Sequence, residues 1–181
     1  MRSGNQLTVL FGGARSGKSR LAVAMAAARP RAVTVIATGR ATDPEMADRI
    51  RRHRAERPAD WGTVEEPVAL GDALAAADGL VVVDCLTLWV ANLIEAGLDD
   101  HEVEARAAHA AALAAKRPAG TIAVTNEVGW GLVPMHPLGR RFRDVAGRVN
   151  AAWSAAAGRA FLVVAGRVLP LHKPEEVVDD Q

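Results

Sequence analysis

The chain is poor in cysteine and in aromatic residues: one cysteine, no tyrosine, and phenylalanine plus tryptophan at only 4% of 181 positions. A lone Cys85 cannot close an internal disulfide, which excludes the stapled secreted scaffolds and fits a reducing compartment. The histidines and the single cysteine show no zinc-ligand spacing, so a structural zinc is not expected. No apolar run reaches the roughly 18 residues of a membrane-spanning helix. The polar opening Met1–Gln6 lacks the apolar core of a secretory signal. The expectation is a cytoplasmic protein with no membrane span. Excess charge is missing too: a net charge of +1 gives no electrostatic case for nucleic acid. Basic residues cluster locally in Arg49–Arg57 and Arg140–Arg148, a pattern that on its own reads as solvated helix faces. Half of the residues are hydrophobic, which excludes extensive disorder. The length suits a single domain over 1–181, with a polar tail from about Lys173 that is expected to fray.

What the chain does have is GGARSGKSR, Gly12 to Arg20. It fits the phosphate-binding loop G-x-x-x-x-G-K-S/T, with Gly12, Gly17, Lys18 and Ser19 at the fixed positions. The flanks fit as well. Leu7–Phe11 is short, apolar and partly β-branched and reads as a buried strand; Leu21–Ala28 is a strong helix former that stops before Pro30. Glycines let backbone N–H groups converge on phosphate oxygens, and the helix N-terminus adds partial positive charge. Lys18 would neutralise β- and γ-phosphates, and the Ser19 hydroxyl would ligate Mg²⁺.

Further strands are predicted at Ala32–Ala37, Leu80–Asp84, Thr121–Thr125 and Phe161–Ala165, with a short extended piece at Thr63–Glu65. Helices are predicted from about Asp43 to Glu56, with Asp43 as cap and Pro44 in the first turn, and over Val68–Ala77, Leu86–Glu95, Asp100–Lys116 and Leu138–Ala157. Strands alternating with helices predict an α/β fold: a mainly parallel sheet with helices on both faces. Asp84 ends the most apolar strand, the usual place for an acid near Mg²⁺ in a phosphate-loop site. The loop Asn126–Pro137 follows a strand end and should open on the same sheet edge. Met46, Ile50 and His53 share one helix face, which by spacing alone reads as ordinary packing. Trp61 and Trp130 suit either packing or a flat ligand. His136 reads as an exposed loop histidine.

A phosphate loop alone leaves kinases, GTPases, ATPases and transporter motors open. Three further stretches narrow the choice: ATGRATDPEMADRIRRHRAERPADWGTVEEP, VVVDCLTLWVANL and VTNEVGWGLVPMHPLGRRFRDVAGRVNAAW. In this order, with the loop, they resemble the bifunctional adenosylcobinamide kinase/adenosylcobinamide-phosphate guanylyltransferase family of cobalamin biosynthesis. The likeness runs from about Leu7 to Val164. It implies a RecA-like phosphate-loop sheet and a homotrimer. It also implies two reactions: phosphorylation of the hydroxyl on the aminopropanol arm of adenosylcobinamide by ATP or GTP, then transfer of GMP from GTP to that phosphate through a GMP-histidine intermediate. The histidine of the RIxxHxxxRP element is His53 here. Nucleotide contacts carry over to Gly13, Ala14, Arg15, Ser16, Gly17, Lys18, Ser19 and Arg20; to Ala37, Thr38 and Gly39; to Arg54, Ala55, Glu56 and Arg57; and to Glu65 and Asp84. Mg²⁺ falls to Ser19 and Asp84.

The chemistry agrees with that assignment. Covalent nucleotidyl transfer needs a nucleophile that attacks phosphorus and then leaves, and neutral imidazole does both. Arg49, Arg52, Arg54 and Arg57 surround His53 in sequence and are suited to charge building on phosphates. Two alternatives stay open. A plain phosphate-loop kinase needs no histidine nucleophile. A GTPase switch usually carries an NKxD element, and the similar text Thr125–Val128 lacks its Lys and Asp.

Overall fold

The computed structural model describes residues 5–178. One seven-stranded sheet forms the centre, in the order β3-β2-β4-β5-β1-β6-β7. The strands are β1 (Leu7–Phe11), β2 (Val33–Ala37), β3 (Gly62–Glu65), β4 (Leu80–Asp84), β5 (Thr121–Val124), β6 (Arg159–Val164) and β7 (Arg167–Leu171). The helices are α1 (Lys18–Ala27), α2 (Pro44–Ala55), α3 (Leu70–Ala76), α4 (Leu86–Glu95), α5 (Asp100–Lys116), α6 (Pro137–Ala156) and α7 (Pro174–Val178). All neighbouring strands are parallel except β6 and β7. The predicted mainly parallel α/β sheet is therefore present. No helix of the described residues is long and apolar enough to cross a membrane.

Each central strand is apolar on both sides because both sheet faces are covered. Successive side chains alternate between two cores. Leu7, Val9 and Phe11, with Val81 and Val83, face a large core closed by α3, α4, α5 and α6. Leu10, Val33, Val35, Leu80 and Val82 face a smaller core covered by α1. The small residues Ala22 and Ala26 let α1 lie close to the sheet. Helix α5 starts with a capping box in which Asp99 and Glu102 satisfy each other's backbone N–H groups.

Helix α2 is different. Its N-terminus forms as the sequence predicts: the Asp43 side chain accepts from Met46 N at 2.8 Å, with Pro44 in the first turn. Yet it buries no residue in either core. Its basic last turn, with His53, reaches the C-terminal ends of β2 and β4 at Ala37 and Asp84.

The C-terminal segment departs from the sequence reading. The strand expected at Phe161–Ala165 begins two residues earlier, at Arg159, and is followed by another, β7. They join through Ala165 and Gly166, both at positive φ (49° and 75°), the geometry of a two-residue hairpin turn. The alanine there hides the usual Asn-Gly signal. Pro170 also argues against a strand except at a sheet edge, where β7 lies. Within the tail expected to fray, Pro174–Val178 form the short helix α7, which buries no residue; the last three residues of the chain lie outside the described range.

Candidate active site

Because β1, β2, β4 and β5 are parallel, their C-terminal ends share one edge. Ala37 and Val124 flank Asp84 in register, and Leu10 is level with Val124. The phosphate loop leaves β1 at this edge. Gly12 has φ 149°, and a Cβ there would sit 2.3 Å from the Val163 carbonyl oxygen. Gly17 is left-handed at φ 104° and packs on the Gly166 Cα of the β6–β7 turn. The Gly166 N–H donates to the Ser16 carbonyl at 2.9 Å, so the hairpin turn braces the loop from outside.

Lys18 lies under the loop. Its Nζ donates to the carbonyls of Gly12 (2.9 Å) and Gly13 (2.6 Å) and to Ser16 Oγ (3.3 Å). Burial pushes its ammonium below the ordinary lysine value; Arg49 adds to that, while Cys85 and Asp84 oppose it. Gly13, Ala14 and Arg15 are exposed at the loop tip, and Arg15 takes a left-handed φ of 56°. Arg15, Ser16, Gly17 and Arg20 line an open cleft with Glu56, at the C-terminus of α2.

Asp84 gathers the second group. Its Oδ2 accepts from Arg57 Nη2 at 3.1 Å and stands 3.5 Å from His53 Nδ1. The Arg57 and Asp84 side chains are 10% and 15% exposed, so the pair is shielded from water. Arg54 and Glu65 also meet, at 3.7 Å, but at 67% and 68% exposure that pair contributes little. Burial alone would raise the Asp84 carboxyl; the imidazole of His53 and the Arg57 guanidinium beside it outweigh burial and hold the pKa below the usual carboxylate range. A carboxylate facing Nδ1 favours the tautomer with its proton there, which leaves a lone pair on Nε2.

Met46, Ile50 and His53 line one cleft together with Ala37, Gly39, Arg57 and Asp84. The shared helix face is therefore the wall of a site rather than core packing. A smaller adjoining cavity is lined by Ser19, His53, Arg57, Trp61 and Asp84, which brings the two residues assigned to Mg²⁺ into one space. Thr38 is fully buried. Its hydroxyl donates to the Cys85 carbonyl (2.6 Å) and accepts from the Cys85 N–H (2.9 Å), so this side chain ties strand ends while Ala37 and Gly39 face the cleft. The Cys85 thiol, pushed up to about 11 by burial and then by Asp84, stays protonated. Ala55, the last residue of α2, is exposed and lines none of these clefts.

Sequence reasoning missed the buried polar residues behind the edge. Asn92 donates to the carbonyls of Thr38 (2.7 Å) and Pro67 (3.0 Å), fixing the segment after β2. Thr87, Thr125 and Asn150 form another buried group. A buried Asn or Thr in an apolar helix face is the signal that could have marked them. Trp130 is 70% exposed and stands with Leu132, Val133 and Met135 on the late loop. His136 caps α6, its Nδ1 accepting from Leu138 N at 3.2 Å.

Comparison with known proteins gives the family of the chain. A family model described as cobinamide kinase / cobinamide phosphate guanyltransferase matches residues 8–171. The chain is 43% identical over 166 residues to the bifunctional adenosylcobalamin biosynthesis protein CobP of Pseudomonas aeruginosa, covering 90% of this chain and 95% of that one. It is 43% identical over 175 residues to the bifunctional adenosylcobalamin biosynthesis protein CobU of Salmonella typhimurium, and 41% over 175 residues to the Escherichia coli protein of that name; each match covers 88% of this chain and 96% of the relative. Two solved structures share the fold alone. A Pyrococcus horikoshii protein superposes with a TM-score of 0.57 at 9% identity, over 95% of this chain and 89% of that one. A type III secretion system ATPase superposes with a TM-score of 0.53 at 13% identity, over 97% of this chain and 53% of that one. A phosphate loop, a strand-end carboxylate and a histidine drawn onto it thus occur in a chain that, by sequence match along most of its length, belongs to the cobinamide kinase / cobinamide phosphate guanyltransferase family.

Proposed function

We propose that this protein phosphorylates adenosylcobinamide with a nucleoside triphosphate and then transfers GMP from GTP to the product through a covalent GMP adduct on His53, giving adenosylcobinamide-GDP. The observation that carries the covalent route is the approach of His53 Nδ1 to Asp84 Oδ2 at 3.5 Å, beside Arg57. A kinase alone has no use for an oriented imidazole at this edge.

The loop from Gly13 to Arg20 holds the triphosphate, with Lys18 drawn from its loop carbonyls onto the phosphates. Ala37, Gly39, Arg54, Arg57 and Glu65 border the nucleotide on the α2 side. In the guanylyl step, His53 Nε2 forms a bond to the α-phosphorus, and pyrophosphate leaves with the electron pair of the broken P–O bond. Asp84 balances the charge that develops on the imidazolium, and the arginines stabilise the phosphate oxygens. An oxygen of the corrinoid phosphate then attacks the same phosphorus and the P–N bond breaks, returning neutral His53. Ser19 and Asp84, lining one cavity, would hold Mg²⁺, which neutralises phosphate charge when bound. The setting is cytoplasmic and the assembly a homotrimer.

The test uses α-labelled GTP. Wild type should retain label through denaturation, and the adduct should survive alkali and be lost in acid, as a P–N bond is. His53→Ala should still phosphorylate adenosylcobinamide at a substantial rate but transfer no GMP. An acid-stable, alkali-labile adduct, or normal GMP transfer by His53→Ala, would show the assignment to be wrong.

A further inference from the structure

A second set of polar side chains is buried at the same sheet edge, and the steps above do not use it. Thr87 of α4, Thr125 after β5 and Asn150 of α6 are all buried. Their donors and acceptors fit together in one direction. Thr87 Oγ1 accepts from the Asn126 N–H at 2.7 Å, so its own proton goes to Thr125 Oγ1, 3.2 Å away. Thr125 Oγ1 donates to Asn150 Oδ1 at 2.7 Å. Asn150 therefore turns its amide nitrogen to the late loop, donating to the Asn126 carbonyl at 3.1 Å and to Glu127 Oε1 at 2.9 Å. This relay ends on Glu127 and requires an acceptor there, which a carboxylate supplies.

Glu127 is also tied to the phosphate loop. Its backbone N–H donates to the Gly12 carbonyl at 3.1 Å, the same oxygen that accepts from Lys18 Nζ at 2.9 Å. Strand β5 runs between β1 and β4, so Glu127 emerges between the loop and the Asp84 strand. Its side chain lines an open groove of about 300 Å³ with Phe11, Trp130 and Leu162. The relay engages Oε1 and leaves Oε2 for this groove. Asp84 is engaged by His53 and Arg57, Glu56 and Glu65 line the clefts on the α2 side, and Glu127 is the one carboxylate that lines this groove.

We propose that Glu127 is the general base of the kinase step, with Asn150 as its positioning residue and the apolar groove beside Trp130 as the seat for one face of the acceptor's ring system. The proposal rests on the kinase reading given above. In this step the acceptor oxygen forms a bond to the γ-phosphorus. The bond from that phosphorus to the bridging oxygen breaks, the nucleoside diphosphate leaves with the electron pair, and the hydroxyl proton passes to Glu127.

Glu127→Gln keeps the side-chain volume and still accepts from Asn150. Its kcat for phosphorylation of cobinamide should fall about 10²–10⁴-fold, the usual weight of a general base, while the Kd for nucleotide stays within about twofold. Glu127→Asp should recover part of the lost rate. Asn150→Ala should lower kcat with the nucleotide KM unmoved, a split that general loosening of the fold would not give. A Glu127→Gln enzyme that phosphorylates cobinamide at close to the wild-type rate overturns the proposal and leaves the kinase reading intact. A wild-type enzyme that does not phosphorylate cobinamide overturns the kinase reading and the proposal with it.

Discussion

Asp84 shows how one carboxylate ties the site to the stability of the fold. With its pKa depressed on folding, it contributes stability above its unfolded value of about 3.9, and that contribution is lost as pH falls through the lower folded value. Asp84→Asn should therefore destabilise the protein at pH 7. It leaves Arg57 shielded without an opposite charge, at a cost of about 2 kcal/mol after discounting the fully buried case for partial exposure. For a chain of this length that is about 4–8 °C in Tm. The deficit should narrow as pH drops below about 4, where Asp84 of the unfolded wild-type chain takes up a proton before the folded carboxylate does. Calorimetry at pH 7 and at pH 3 checks this; the same deficit at both values would contradict it. Asp84 and His53 were each legible in the sequence, from strand-end position and from motif. Their contact was not, because it depends on where the last turn of α2 meets the end of β4.

At the scale of elements, the loop between β1 and α1 depends on the hairpin that follows it late in the chain. Gly12 is confined by the Val163 carbonyl and Gly17 by its left-handed φ of 104°, whereas a Cβ on Gly13 meets nothing within 4 Å. Gly12→Ala should destabilise the protein by about 1–3 kcal/mol, the range for forced overpacking, and weaken nucleotide binding. Gly13→Ala should leave Tm nearly unchanged. Paired thermal melts of the two variants make the check, and equal losses would show that the hairpin does not confine the loop. The phosphate-loop motif marks both glycines' neighbourhood in the sequence, but the partner of Gly12 comes from β6. Helix α2 makes the complementary point. Its Asp43-Pro44 cap is local chemistry that the sequence carries, while its lack of buried residues is a matter of tertiary placement.

Across the whole molecule, apolar side chains remain exposed at several described positions, most densely on the late loop and on β7. Leu132, Val133 and Met135 project from the late loop, and Val168, Leu169 and Leu171 from the edge strand β7. An uncovered edge strand with exposed Val and Leu is a surface that proteins usually pair or bury. Together with the family resemblance, this leads us to expect a homotrimer with nucleotide sites near subunit boundaries. Light scattering at micromolar concentration should give three times the chain mass. A monomer mass would refute it, and charged substitutions at Leu169 and Leu132 should dissociate the assembly if these surfaces form it.

The sequence by itself determined the alternation of strands and helices, the phosphate loop with Lys18 and Ser19, the cap of α2, and Asp84 at a strand end. Each of these is a local matter of residue spacing, backbone preference or apolar periodicity, so a short window of sequence contains its cause. Tertiary structure alone decided that β5 stands between the loop strand and the Asp84 strand, that His53 and Arg57 meet one carboxylate oxygen, that Thr38 faces inward, and that Asn150 reaches Glu127. Those contacts join residues far apart in the chain, and no local pattern encodes them. They exist because parallel strands bring their C-terminal ends to one edge, where buried polar groups must find partners in whichever elements the packing of the two cores has placed beside them.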